Sequence, residues 1–327
     1  MNQVHSTPLQ SLLGGFGISL SVHGLLVLNG NVLGISGFLH RAARGGNEAL
    51  AGVLGLVLGG LIVGAIEGKG PTTFDNNLPR IITSGLLVGM GAKLANGCTS
   101  GHMICGISRF SLRSLAATVT FSATGILTAL LLHAKSLPSQ GSMDWTLSPL
   151  AKPLIALQTL PLAIQAALYF HAPQLVPEGE GEGMHRKSAT SRLLVFLTSS
   201  LDFALALRVS NLTEPLKVIG FLVLPFDRSF DPSLAFLTLG ALPLTTLLYR
   251  YGRGEHPRLG GPWSVPKSGK VDGRLLFGAA IFGIGWGMEG LCPGPGLVNL
   301  GRALSTGQNV VPMAAWISSV IAGGLLY

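Results

Sequence analysis

The sequence predicts an all-α membrane protein, with about nine transmembrane helices plus short re-entrant helices arranged as two inverted, pseudo-symmetric repeats. Three observations point there. Only 11% of the residues are charged against 48% hydrophobic, where soluble domains carry about 25% charge. Charge is also expelled from whole stretches: 1–40, 49–66, 114–134, 153–177, 232–249, 275–288 and 303–327 contain no Asp, Glu, Lys or Arg. Several of these approach or exceed the roughly 20 apolar residues that cross a bilayer as a helix. The third observation is an internal echo. Gly89 and Gly91 precede Cys98 by the same spacing with which Gly283 and Gly285 precede Cys292, and each cysteine opens a Gly-rich loop that returns through an arginine, Arg109 or Arg302.

Taken in order, spanning helices are expected at about 9–28, 48–67, 80–96, 112–134, 152–171, 191–210, 232–249, 274–290 and 309–327, with boundaries good to several residues. Between the first two lies Asn29 to His40, apolar but short and broken by glycine. Its counterpart is Glu214 to Leu222, which shares an Ile-(Ser)-Gly-Phe-Leu core. Gly/Leu-rich sequence produces such matches by chance; two matches in the same order favour duplication. The helix near 152–171 makes the crossings between equivalent points odd in number, so the second half would lie inverted, a recurrent transporter architecture. The expected division is 1–150 as first repeat, 151–190 as linking helix and linker, and 191–327 as second repeat. Glycine, 46 residues of 327, is about double its usual share of ~7%. Gly52, Gly55, Gly59, Gly60 and Gly64 form a small-residue face for close helix contact.

The net charge of +8 sits in short loops between apolar runs, so it reads as an orientation signal and not as a nucleic-acid surface. Arg41, Arg44, Arg109, Arg113 and the basic loop from Arg250 to Arg274 outnumber the basic residues of the other face. This places the C-terminus in the cytosol and the N-terminus outside, in a plasma-membrane protein. The opening residues lack the basic region and cleavage site of a signal peptide.

Three cysteines do not make a disulfide framework. Free cysteine is commonly a small buried hydrophobe, but Cys98 and Cys292 end apolar helices where the backbone breaks. Irregular backbone at membrane depth is tolerated only when buried in protein or lining a cavity, and half-helix starts attract anions. A soft thiol beside such donors suits an anion that itself bears sulfur. Free thiols titrate near about 8.5, so they stay mostly protonated donors at neutral pH. The candidate path is therefore Cys98 and Cys292, then Cys105, Gly97, Thr99, Ser100, Gly101, His102, Lys93, Glu289 and Gly294. Lys93 and Glu289 are ionisable groups within apolar helices, functional candidates by default. They could pair with one another, or Lys93 could offset the charge of a passing anion. Asp202 and His23 also fall inside predicted helices, while Glu67 and Arg80 fall at helix ends, where snorkelling accounts for them. No phosphate-binding loop, nucleophile elbow or CxxC pair is present, and neither a metal site nor a cofactor is expected.

Gly97-Cys98-Thr99-Ser100-Gly101-His102 with Cys105-Gly106, and Cys292-Pro293-Gly294-Pro295, resemble the two signature segments of the YeeE/YedE sulfur-transport membrane family. Asn31 to Phe38, Pro215 to Leu222 and Asp231 to Ala235 are similar to further segments of that family. The resemblance implies uptake of thiosulfate through a pseudo-symmetric bundle in which path cysteines pass the ion inward by S–H hydrogen bonds. On it, Cys98 matches the central cysteine and Cys292 the CPGP cysteine. The N-terminal path cysteine of the thiosulfate carriers has no counterpart, since residues 1–97 contain none. The expectation is a carrier, not an enzyme, for a small sulfur oxyanion, with a cytosolic sulfur-handling protein as candidate partner. The rival is a membrane thiol oxidoreductase or sulfurtransferase that holds sulfane sulfur on cysteine.

Overall fold

A computed structural model describes residues 4–72, 77–133, 136–171, 182–266 and 269–326. Twelve helices occur among them: α1 (Pro8–Asn29), α2 (Ile35–Ala42), α3 (Asn47–Glu67), α4 (Leu78–Ala95), α5 (Leu112–His133), α6 (Ala151–His171), α7 (Glu182–Val209), α8 (Pro215–Leu222), α9 (Ser233–Tyr251), α10 (Gly273–Glu289), α11 (Pro293–Thr306) and α12 (Val310–Leu325). A π-helical turn, Ser100–Gly106, follows α4. Two short strands, β1 (Val4–Ser6) and β2 (Gln140–Met143), pair in parallel.

Helix ends follow local chemistry. Pro8 opens α1, and the side chains of Asn77 and Asp272 accept from Arg80 N–H and Leu275 N–H to cap α4 and α10. Five helices stop at a left-handed residue: Gly30, Gly68, Asn96, Gly290 and Gly307. Two of these stops, Asn96 and Gly290, each stand two residues before a cysteine.

All nine expected positions carry a helix, but nine crossings is not what length and apolarity support. Six stretches qualify among the described residues: α1, α3, α5, α6, α9 and the joined run α10–α11. A seventh appears if α4 is counted with the π-helical turn that bends away from it by 48°. The remaining apolar helix, α12, is shorter. Residues 172–181 of the expected linker lie outside the described residues, and its remainder, 182–190, is the start of α7 rather than loop. The two segments too short to cross are the short helices α2 and α8.

Helices pair in reciprocal fashion. α1 packs on α9 and α7 on α3; α4 packs on α12 and α10 on α5; α1 meets α7, and α4 meets α10. The equally spaced glycines make equivalent contacts. A Cβ at Gly89 would sit 2.1 Å from the Val320 carbonyl oxygen on α12, and one at Gly283 would sit 2.3 Å from that of Phe121 on α5. Gly91 faces Phe282 on α10, and Gly285 faces Ser84 on α4. Close approach requires glycine here because backbone stands where the Cβ would go. Gly283→Ala is accordingly expected to destabilise the bundle by about 1–3 kcal/mol through overpacking, read as a lower unfolding midpoint in detergent.

The core runs through the middle of this arrangement, with Trp316, Phe38, Phe121, Phe203 and Phe282 fully buried. Outside, Leu115, Val119, Leu127 and Leu131 of α5, Leu160 of α6 and Leu239 and Leu247 of α9 are exposed. An apolar exterior of this extent fits lipid as its solvent. The chain is an integral, multi-pass membrane protein.

Candidate functional site

The π-helical turn begins where α4 breaks. Asn96 reverses the chain in the left-handed region, and the buried Ala95 carbonyl at the helix end is held by two donors: His102 Nε2 at 3.1 Å and Arg113 Nη2 at 3.1 Å. The other His102 nitrogen, Nδ1, shares a hydrogen bond with Ser114 Oγ at 3.2 Å, so both ring nitrogens are engaged and the ring acts as a clamp. A Cβ at Gly97 would lie 2.7 Å from that ring. His102 therefore positions the turn. Gly101 faces open space.

Cys98 and Cys292 are buried, at 2% and 5% exposure, and the two cysteine segments touch. The Thr99 hydroxyl donates to Cys292 Sγ at 3.4 Å. Cys98 Sγ shares a hydrogen bond with Ser100 Oγ at 3.3 Å, and Ser100 Oγ accepts from the Ile35 N–H at 3.3 Å. Ile35 begins α2, and its side chain lies close to Gly294, near the start of α11. Gly290 abuts Pro215, the first residue of α8. The start of α2 thus reaches Cys98 through Ser100, the π-helical turn reaches Cys292 through Thr99, and the start of α8 packs on the stop of α10 that precedes Cys292. First-turn N–H groups have no partner within their helix, but Pro293 and Pro295 have none to give, and the Gly296 N–H is taken by the Cys292 carbonyl at 2.9 Å. In the first turn of α11 this leaves Gly294 as the donor, fewer than the Gly-rich sequence suggests. Cys105 is buried apart, its thiol donating to the Leu33 carbonyl at 3.9 Å beside a void of about 20 Å³ shared with His23 and Arg109.

A cavity of about 300 Å³ lies at the Ala95 end of α4. Its wall holds Arg41, Arg44, Lys93, Arg109 and Arg113 and no carboxylate; Gly97, Gly101 and His102 also line it, while none of the three sulfurs does. Buried Arg109 Nη1 has no hydrogen-bond partner among the described residues. Arg41, Arg44 and Arg113 looked in the sequence like orientation signals. Their place at the mouths of the broken segments was the readable clue to a second role.

The opposite end is sealed by ion pairs. Arg80 Nε lies 2.9 Å from Glu289 Oε1 and Lys217 Nζ lies 3.1 Å from Asp231 Oδ2. Arg302, 2% exposed, bridges Glu67 at 3.0 Å and Glu214 at 3.1 Å, and Arg208 joins the same two carboxylates. These pairs correct two expectations. Glu289 does not pair with Lys93, because Arg80 and Lys93 stand at opposite ends of α4, about 20 Å apart at 1.5 Å per residue. Glu67 and Arg80 do not snorkel to solvent either. Glu67 is interior, at 3% exposure, and Arg80 is turned onto Glu289 and the Met288 carbonyl.

Comparison with known proteins bears on both halves. A family described as "Sulphur transport" matches residues 6–127, and a family of unknown function (DUF6691) matches residues 191–327. A "Probable transporter" of Xylella fastidiosa (strain 9a5c) is 47% identical over 121 residues, 36% of this chain and 90% of the relative. One from strain Temecula1 / ATCC 700964 gives the same figures. A further "Probable transporter" of strain 9a5c is 33% identical over 141 residues, 42% of this chain and 90% of the relative. No solved structure matches.

Proposed function

The chain belongs to the YeeE/YedE sulfur-transport family, and from that membership we propose that it carries a small sulfur oxyanion, thiosulfate by preference, along a path through Cys98 and Cys292. One observation carries this reading: the buried Cys292 thiol of one half accepts from Thr99, the neighbour in sequence of the buried Cys98 thiol of the other. Hydrogen accounting favours their acting as donors. Ser100 Oγ accepts from Ile35 N–H, so its own proton is free for Cys98 Sγ; Thr99 donates to Cys292 Sγ. Each sulfur then accepts from a hydroxyl and keeps its S–H for a guest. A dehydrated anion needs such donors, since leaving it without them costs several kcal/mol.

The cationic cavity would serve as the mouth of the path, with Lys93 and Arg109 offsetting the anion's charge above Gly97, Gly101 and Gly294. In this reading Cys105 and Glu289 leave the path, the first for packing and the second for its ion pair. Two inverted repeats, divided as 1–150, 151–190 and 191–327, are supported by the reciprocal helix pairing. They are also supported by relatives of which nine tenths aligns to little more than a third of this chain. The cavity end, rich in basic residues, would face the cytosol of a cell whose plasma membrane holds the protein, and would be where a cytosolic sulfur-handling protein receives the ion.

The test is uptake of radiolabelled thiosulfate into proteoliposomes, competed with sulfate, sulfite and selenium analogues. Inert liposomes would remove the carrier reading. Arg109→Gln is expected to raise the half-saturating concentration about tenfold, the loss of one charge-assisted hydrogen bond. An unchanged value would take Arg109 off the path.

A further inference from the structure

Asp202 lies in the C-terminal third of α7, and its side chain is wholly buried. Nothing in the thiol path uses it. Oδ2 lies 2.8 Å from Ser21 Oγ on α1, and Oδ1 has no partner among the described residues. Ser21 Oγ also lies 2.9 Å from the Gly17 carbonyl oxygen. A serine hydroxyl has one hydrogen, yet here it stands against two acceptors. Both contacts are satisfied together only if the carboxyl brings a hydrogen of its own: Asp202 Oδ2–H donates to Ser21 Oγ, and Ser21 donates to the Gly17 carbonyl.

Among the described residues no cation neutralises this group. Of the elements packed on α7, α1 brings His23, which is turned toward Gly252 after α9. α3 brings Glu48 and Glu67, held by Arg192 and by Arg208 with Arg302. α6 brings Lys152, Tyr169 and His171 near its ends, and α11 brings Arg302, already paired. On α7 itself, Arg192 and Arg208 are engaged by Glu48 and Glu67. A bare carboxylate wholly inside a membrane protein is costly, and such groups mark ion or proton pathways. Ser199, one turn earlier, keeps a buried hydroxyl with no partner among the described residues, a second polar atom beside the same stretch of helix.

We propose that Asp202 is a proton-binding site that couples movement of the anion to movement of a proton. The inference rests on the transport reading above. Loading forms an O–H bond on Oδ2 with a proton taken from water on one side; unloading returns it to water on the other. When the carboxyl is ionised, the Ser21 hydrogen turns from the Gly17 carbonyl to Oδ2 and holds the charge. The next residue, Phe203, and Leu207 one turn on both lie against Gly294. One helix therefore carries the proton site and a wall of the cysteine segment, so a shift of α7 between the two states reaches both.

The experiment uses thiosulfate in proteoliposomes with an internal pH dye. For wild type, an acid-outside gradient of about one pH unit should raise accumulation about tenfold per proton carried, with internal acidification in step with uptake. Asp202→Asn, which keeps the shape, should retain thiosulfate counterflow and lose the response to the gradient. Accumulation without acidification, accumulation driven by a sodium gradient at equal pH, or an Asp202→Asn protein that still follows the pH gradient would each overturn the proposal. Absence of counterflow in both proteins would instead break the transport reading. The infrared difference between wild type and Asp202→Asn at neutral pH should contain the C=O stretch of a protonated acid; its absence overturns the proposal whatever the uptake data show.

Discussion

Replacing Cys98 with alanine is expected to cut thiosulfate uptake about 100-fold while leaving the protein folded and inserted. The side chain is small and 2% exposed, and its sulfur meets Ser100 Oγ at a distance, 3.3 Å, that alanine simply vacates. What is lost is one donor to a dehydrated anion, worth about 1.5–3 kcal/mol or some 10- to 100-fold. The upper end is expected where no water can substitute. Cys292→Ala should behave alike, and Cys105→Ala should change uptake little, since its thiol is spent on the Leu33 carbonyl. Cys98→Ser separates the two chemistries: a hydroxyl still donates, so a hydrogen-bonding path keeps part of its rate, whereas a sulfur-transfer path needs sulfur and loses all of it. Wild-type uptake by Cys98→Ala would end the thiol role. A persulfide trapped on Cys98 during turnover would move the chain to the sulfurtransferase reading.

Local rules made much of the fold readable. The equal glycine spacing before Cys98 and Cys292 was visible as repetition, and the contacts it makes are of one kind because a missing Cβ has meaning at one position whatever the partner. Helix stops such as Gly30 and Gly290 are written in single residues. The cysteine segments were readable for the same reason: a broken backbone in an apolar run has to be accommodated somewhere. Partners were not readable. Glu289 finds Arg80 and Arg302 finds Glu67 across most of the chain, and nothing local distinguishes a carboxylate that will meet an arginine from one that will reach water. Arg109 and Arg302 illustrate the limit. They hold matching places after the two cysteines, yet Arg109 lines the open cavity and Arg302 is locked between two acids. Matching positions after the two cysteines thus lie in different surroundings, one against a cavity and one inside an ion cluster.

Arg302→Met is the substitution expected to cost most stability, about 3–5 kcal/mol, the usual penalty for removing one member of a buried ion cluster. Two guanidinium groups, Arg208 and Arg302, balance two carboxylates, Glu67 and Glu214. Arg302 also donates to Asn299 Oδ1 at 3.1 Å, and Asn299 in turn donates to the Thr213 carbonyl at 2.8 Å. Methionine fills similar volume, so packing changes little and the loss is electrostatic. It leaves one positive charge for two interior acids. Removing a carboxylate at the same time should restore the balance, so Arg302→Met with Glu214→Gln is expected to recover part of the loss, a coupling that independent sites would not show. Unfolding midpoints of the four proteins in detergent provide the measurement. The cluster ties the ends of α3 and α7 to the start of α8 and to α11, the helix that Cys292 begins, so loosening it should also reach the path. If the single substitution left the midpoint unchanged, Arg302 would be a bystander at the far end of the bundle, which the remaining ion pairs and apolar contacts would hold.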